Sequence, residues 1–336
     1  MKLSDTTNPS NKNEIADMAS TTCCSLTEMA ETYRISSWKD FEDVYEKHFR
    51  RNRGRFYYRG QRDSSWELRT THERLLQQLA PNIPYDKPYP SYAPGKFAST
   101  PGSRIELLAL RAFQARSSKF ISNPPPLEDT LEWLAMMRHW GLSTRLIDVT
   151  TSPYVALYFA LSDHLLVPKI DDTIDPAVWA INHIPLRHAA SKATGLPDHT
   201  DLSNSILFHE HLIHSSKAML VPVHPHSHNE RLSAQQGTFL CVGNPDLPLY
   251  TNLLTCMPNM EVKTQSVLHK LVIDHKVAID ILGRLTTMNI HSASLFPDLQ
   301  GYARFIENSL VLFSKPSSNY GPNTDFESLE RLGWLG

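Results

Sequence analysis

The chain has 336 residues, 41% hydrophobic and 20% charged, with a formal net charge of −2. That length allows one large domain or two ordinary ones, and the composition is that of a soluble globular protein. The near-neutral balance excludes a global field drawing the protein to nucleic acid or membrane. Four cysteines, two of them adjacent at Cys23 and Cys24, make no disulfide framework. Cys241 and Cys256 are therefore expected as buried thiols in a reduced, cytoplasmic protein. The first residues lack the apolar core of a signal peptide. No apolar run reaches the ~20 residues needed to span a bilayer. The best one, Val155 to Leu166, is broken by Asp163 and His164.

Residues 1–33 are polar and rich in Ser, Thr and Asn, and read as a disordered tail. Behind Ser37, the residues Trp38, Phe41, Val44, Tyr45 and Phe49 recur at helical spacing and predict an amphipathic first helix. A basic loop then leads into a strand over Phe56 to Tyr58. From Lys47 to Arg62 the chain carries seven cations, no acid, and interleaved Phe49, Phe56, Tyr57 and Tyr58. The prolines between Pro81 and Pro101 predict an irregular surface excursion. Ser103 and Glu106 have the spacing of a capping box before a helix running to about Phe120. A second helix through Leu131, Leu134, Ala135 and Met137 is expected to stop at Gly141.

The run Thr144-Arg145-Leu146-Ile147-Asp148-Val149-Thr150-Thr151-Ser152-Pro153 reads as a buried strand, a hydroxyl-rich turn and a helix start. Ser152 suits the N-cap and Pro153 the first helical position. Such an N-terminus can hold a phosphate or carboxylate, although for the turn taken alone an ordinary capped strand-to-helix connection is the better explanation. Arg145 and Asp148, three apart in a strand, should point to opposite faces and not pair with each other. Further strands are expected at Val178–Ile181, Met219–Val223, Thr238–Val242 and Leu268–Ile273. Helices should follow Asp274 and Pro297. Without regular βαβ alternation, the fold class is α+β: one mixed domain with a split, largely antiparallel sheet and flanking helices. Residues 34–290 form the domain, with a C-terminal helix and tail, 291–336, packed on it. His224, His226 and His228 alternate, but lack a carboxylate or cysteine partner, so no metal site is expected.

Four segments combine into a pattern: Tyr58-Arg59-Gly60-Gln61, His139-Trp140-Gly141-Leu142-Ser143-Thr144-Arg145-Leu146-Ile147-Asp148, the Pro153 to Ala160 helix, and Gln235-Gln236-Gly237-Thr238-Phe239. Together they resemble the FRG domain family, over residues 35–290, the last as a Gln-x-Gly-x-Phe segment that begins at Gln235, with Ser143 standing where a proline is common. The order of these segments is in turn similar to the Arg–Ser–Glu plan of ADP-ribosyltransferases. That resemblance implies an ADP-ribosyltransferase-like fold and NAD as substrate. Arg59, with Tyr58, Gly60 and Gln61, and the hydroxyls of Thr150, Thr151 and Ser152 would hold the nucleotide. Gln235 or Gln236 would take the third place, and His139 would serve as acid, base or sugar anchor. A glutamine there keeps hydrogen bonding but not the charge of a carboxylate, and an amide is no general base near neutral pH. Two alternatives follow. The stretch 47–62 would make a nucleic-acid-binding module, and the missing carboxylate an inert ligand-binding domain. Any acceptor would be macromolecular or unknown, and no membrane partner is implied.

Overall fold

The computed structural model describes residues 26–52, 54–79, 101–117, 119–162, 173–226, 230–256 and 267–314. Within them the fold is α+β, around one seven-stranded sheet with the order β1-β7-β4-β2-β3-β6-β5. The strands are β1 Glu31–Ile35, β2 Phe56–Gln61, β3 Leu146–Thr150, β4 Ala177–Asn182, β5 Leu220–Val223, β6 Gly237–Val242 and β7 Leu268–Ile273. Only β1 and β7 run parallel; every other pairing is antiparallel. Described structure begins at Leu26, with a helical turn and then β1, inside the stretch read as tail. Cys23, Cys24, the segment 81–100 and His228 lie outside the described residues.

The sheet has a seam. β2 and β4 pair over six residues and β3 and β6 over five, whereas β2 meets β3 at Tyr58↔Thr150 alone. This weak junction divides β1-β7-β4-β2 from β3-β6-β5. Strand alternation sorts the core around it. On one face, Phe56, Tyr58, Val178, Ala180 and Leu271 pack under the Pro153–Leu161 and Ala278–Thr287 helices. On the same face beyond the seam, Leu146, Phe239, Cys241 and Val221 pack under the Thr130–His139 helix through Leu131, Leu134 and Met137. The opposite face carries one cluster that crosses the seam, with Tyr57, Trp179, Ile147, Val149 and Leu240. Two cores on one face therefore leave a gap above the seam.

The predicted caps hold where the chemistry is local. Ser37 accepts from Asp40 N, Ser152 from Val155 N and Asp274 from Lys276 N. Gly141 closes the Thr130–His139 helix in the left-handed region, at φ 86°. The Ser103–Glu106 box does not form. That helix already starts at Pro101, and both side chains are drawn to a distant partner, Arg145.

β2 is longer than expected, with Arg59, Gly60 and Gln61 paired to Trp179, Val178 and Ala177. Gly60 packs closely under a neighbouring helix. A Cβ there would meet the Ala156 carbonyl oxygen and the Ala160 amide nitrogen, the latter at 2.5 Å. The glycine lets the Pro153–Leu161 helix lie against the strand. Both obstructing atoms are backbone, so no rotamer change relieves them. Gly60→Ala is expected to cost about 1–3 kcal/mol or more, read as a lower denaturation midpoint at an unchanged m-value.

Candidate functional site

The gap above the seam is a cleft of about 1050 Å³. Its floor comes from the strand residues that alternation turns to that face: Tyr58, Gly60, Asp148, Thr150 and Phe239. Phe159 of one covering helix and Ala135, Met136 and His139 of the other supply its walls. Phe120 and Trp140, 86% and 65% exposed, also line it. Apolar and aromatic surface with a few convergent charges is the usual make-up of a small-molecule site.

Asp148 is the electrostatic hub. Arg138 donates to its Oδ2 from Nε at 2.9 Å and from Nη2 at 2.6 Å. Arg59 Nη1 lies 3.6 Å from the same oxygen. By alternation Arg59 belongs with Tyr57 and Gln61 on the opposite face. It reaches the cleft because the strands part after Tyr58↔Thr150, and its Nη1 donates to the Asp148 carbonyl at 2.6 Å. The guanidinium thus satisfies a β3 carbonyl that has no β2 amide opposite it. Burial pulls the Arg59 pKa down while Asp148 opposes it. An arginine starts so high that it stays cationic. Arg231, from the short Glu230–Ala234 helix, adds a third cation, its pKa also lowered by burial. Against these three stand Asp148 and the buried Glu132, so one formal positive charge is in excess.

His139 lines the same cleft, and its ring meets Trp140 edge-on, with centroids 5.1 Å apart. A helix C-terminus would favour the charged ring. Burial, and after it Arg231, instead lower its pKa, with Asp298 opposing. Burial thus favours the neutral imidazole, which can accept a proton or a hydrogen bond.

Of the residues singled out by sequence, the fold brings Tyr58, Arg59, Gly60, His139, Thr150 and Gln235 together around the cleft. Gln61, Thr151, Ser152 and Gln236 are not in its lining. Gln61 accepts from Trp179 Nε1 at 2.6 Å and donates to the Glu67 carbonyl, a structural bridge on the far face. Ser152 caps its helix. Gln236 is the turn residue before β6, at φ 46°, and its carbonyl accepts from Thr151 N. The hydroxyls are committed too. Thr150 Oγ1 donates to the Gln235 carbonyl at 2.8 Å and accepts from Ser152 N. Gln235 is the glutamine that faces the cleft, and its amide donates to the Leu295 carbonyl at 3.0 Å. Arg138, Arg231 and Glu132 were missed, because no local pattern distinguishes them.

Arg145 and Asp148 do point apart. Arg145 is fully buried and paired with Glu106, and its backbone amide donates to Glu106 Oε1 at 2.6 Å. Its remaining nitrogens donate to the Leu212 carbonyl and to Ser103 Oγ. Cys241 and Cys256 are buried free thiols, as expected, with burial pushing Cys241 up to about 12. The aromatic residues of 47–62 offer no stacking surface: Phe49, Phe56, Tyr57 and Tyr58 are all buried. Of the cations, Arg50 pairs with Glu46 and Arg62 lies over Trp66. His224 spends its ring nitrogens on the Tyr57 hydroxyl and on Thr238. Among the described residues, ligand-type side chains converge at Asp175, Asp274 and His275, where Arg34 already pairs with both carboxylates.

These features define an α+β protein with an arginine-lined cleft over a split sheet. The family model of the FRG domain matches residues 54–166, and that stretch of the chain is an FRG domain. The match takes in Arg59, Arg138, His139, Asp148 and Thr150; Arg231, Gln235 and the C-terminal helices lie beyond it. No curated protein and no solved structure matches the chain. No helix among the described residues is long and apolar enough to cross a membrane.

Proposed function

We propose that the cleft binds a dinucleotide of the NAD type, and that the protein is an ADP-ribosyltransferase-like enzyme acting on it. The observation that carries this reading is the set Arg59, Arg138 and Arg231 around Asp148, beside an apolar wall. Guanidinium forks match phosphate oxygens in charge and geometry, and the aromatic wall suits a base. The cleft also contains what the glutamine at the third motif position lacks. Asp148 Oδ2 is held by arginine, and Oδ1 makes no hydrogen bond among the described residues. A carboxylate placed in this way can accept from a ribose hydroxyl and stabilise positive charge developing on the ring. In the reaction the bond between ribose C1′ and the nicotinamide nitrogen breaks, the electron pair leaving with nicotinamide. An acceptor oxygen or nitrogen, or water, then bonds to C1′ and gives up its proton, for which His139 in the cleft wall is the candidate base.

One observation favours a second reading, an inert nucleotide-binding module: Thr150, Ser152 and the Gln235 amide are all spent on the fold. Incubating the purified protein with NAD, and following both nicotinamide release and bound nucleotide, separates the two. The first reading expects release; the second expects intact NAD recovered after prolonged incubation. Neither binding nor turnover would sink both.

A further inference from the structure

Arg231 is an unusual member of the cleft, because its own element can do little to hold it. The Glu230–Ala234 helix has one turn and no buried residue. Its guanidinium instead lies over the ring of Phe296, 4.5 Å from the centroid. Phe296 is in turn seated from two other sides. Phe159, itself part of the cleft wall, meets it edge-on at 6.0 Å. Gly301 leaves room behind it, since a Cβ there would lie 2.7 Å from Phe296 Cβ. The preceding residue, Leu295, accepts the amide hydrogen bond of Gln235. The segment 295–301 therefore contacts two of the cleft residues that come from the 230–235 region, Arg231 and Gln235, and it lies outside the part of the chain that matches the FRG family.

We infer that Phe296 is a positioning residue, which holds Arg231 over the cleft as one arm of a phosphate clamp and makes the C-terminal segment a support behind the cleft lining. A guanidinium stacked on an aromatic face keeps its charge and all its N–H donors, while its rotamer freedom is already reduced. An anion entering the cleft then meets a cation that need not be ordered first. The inference rests on reading the cleft as an anion site.

The test uses the full chain and inorganic pyrophosphate as probe, with affinity measured by calorimetry for wild type, Phe296→Leu, Phe296→Tyr and Arg231→Ala. Leucine keeps an apolar filler but removes the π face, whereas tyrosine keeps the face. Wild type is expected to bind, Phe296→Leu to bind about three- to tenfold more weakly, and Phe296→Tyr to retain wild-type affinity. In the Arg231→Ala background, Phe296→Leu should cause no further loss, because Phe296 acts through the guanidinium. Phe296→Met supplies the same comparison should the leucine variant fail to fold. Full affinity in the leucine variant, equal losses in both backgrounds, or no pyrophosphate binding to wild type would each overturn the inference. Pyrophosphate bound in the expected pattern, but NAD ignored, would leave the inference standing and remove the dinucleotide reading.

Discussion

Arg145→Ala is expected to destabilise the protein by about 3–5 kcal/mol, and the melting temperature should fall by roughly 10 °C. The reason is the state in which the substitution leaves Glu106. That carboxylate is buried, and Arg145 supplies two of its hydrogen bonds, from the side chain and from the backbone amide. Removing the guanidinium strands a charge, and also takes a donor from the Leu212 carbonyl and from the Ser103 hydroxyl. Three residues along the same strand, Asp148→Asn should behave in the opposite way. The Asp148 side chain is 46% exposed, so losing its charge should cost the fold less than ~1 kcal/mol. The cleft, however, would lose its central carboxylate. Thermal melts and NAD turnover for the two variants side by side check the division of labour. Equal destabilisation by both would mean that the strand is not sorted into a structural and a cleft-facing residue.

This division was half legible in the sequence. Period-two alternation placed Arg145 and Asp148 on opposite faces, and that needs only local geometry. The same rule showed that only one of Gln235 and Gln236 could face the site. Sequence could not choose between them, because the choice depends on Gln236 taking up a left-handed turn. The strand Leu268–Ile273 and the caps at Ser37, Ser152 and Asp274 were readable for the same local reason.

What failed was long-range. The Ser103-x-x-Glu106 spacing fits a capping box, yet burial beside Arg145 overrides it, since a buried guanidinium binds a carboxylate more strongly than a helix amide does. That Gly60, besides lining the cleft, lets the backbone of the Pro153–Leu161 helix lie against its strand was not legible, because that helix is remote in sequence. Arg138 and Arg231 carry no motif of their own. They become site residues only once the seam between β2 and β3 opens a cleft beneath them.

The seam also makes Arg59 the most informative single position. Its guanidinium serves the fold through the Asp148 carbonyl, and the cleft through its place beside Asp148 Oδ2. Arg59→Ala is expected to weaken NAD binding by about 10–100-fold, the equivalent of losing charge-assisted hydrogen bonds worth ~1.5–3 kcal/mol. Arg59→Lys separates the two roles. An ammonium keeps the positive charge in the cleft but has no planar fork with which to reach the carbonyl and a phosphate at once. If binding rests on charge alone, lysine should recover most of the affinity. If the fork matters, lysine should remain close to alanine while melting near wild type. Affinity in both variants equal to wild type, with only the melting temperature lowered, would make Arg59 a pin for the split sheet and take it out of the ligand site. The anion-binding reading would then rest on Arg138 and Arg231, whose guanidiniums have no strand carbonyl to hold in place of a β2 amide.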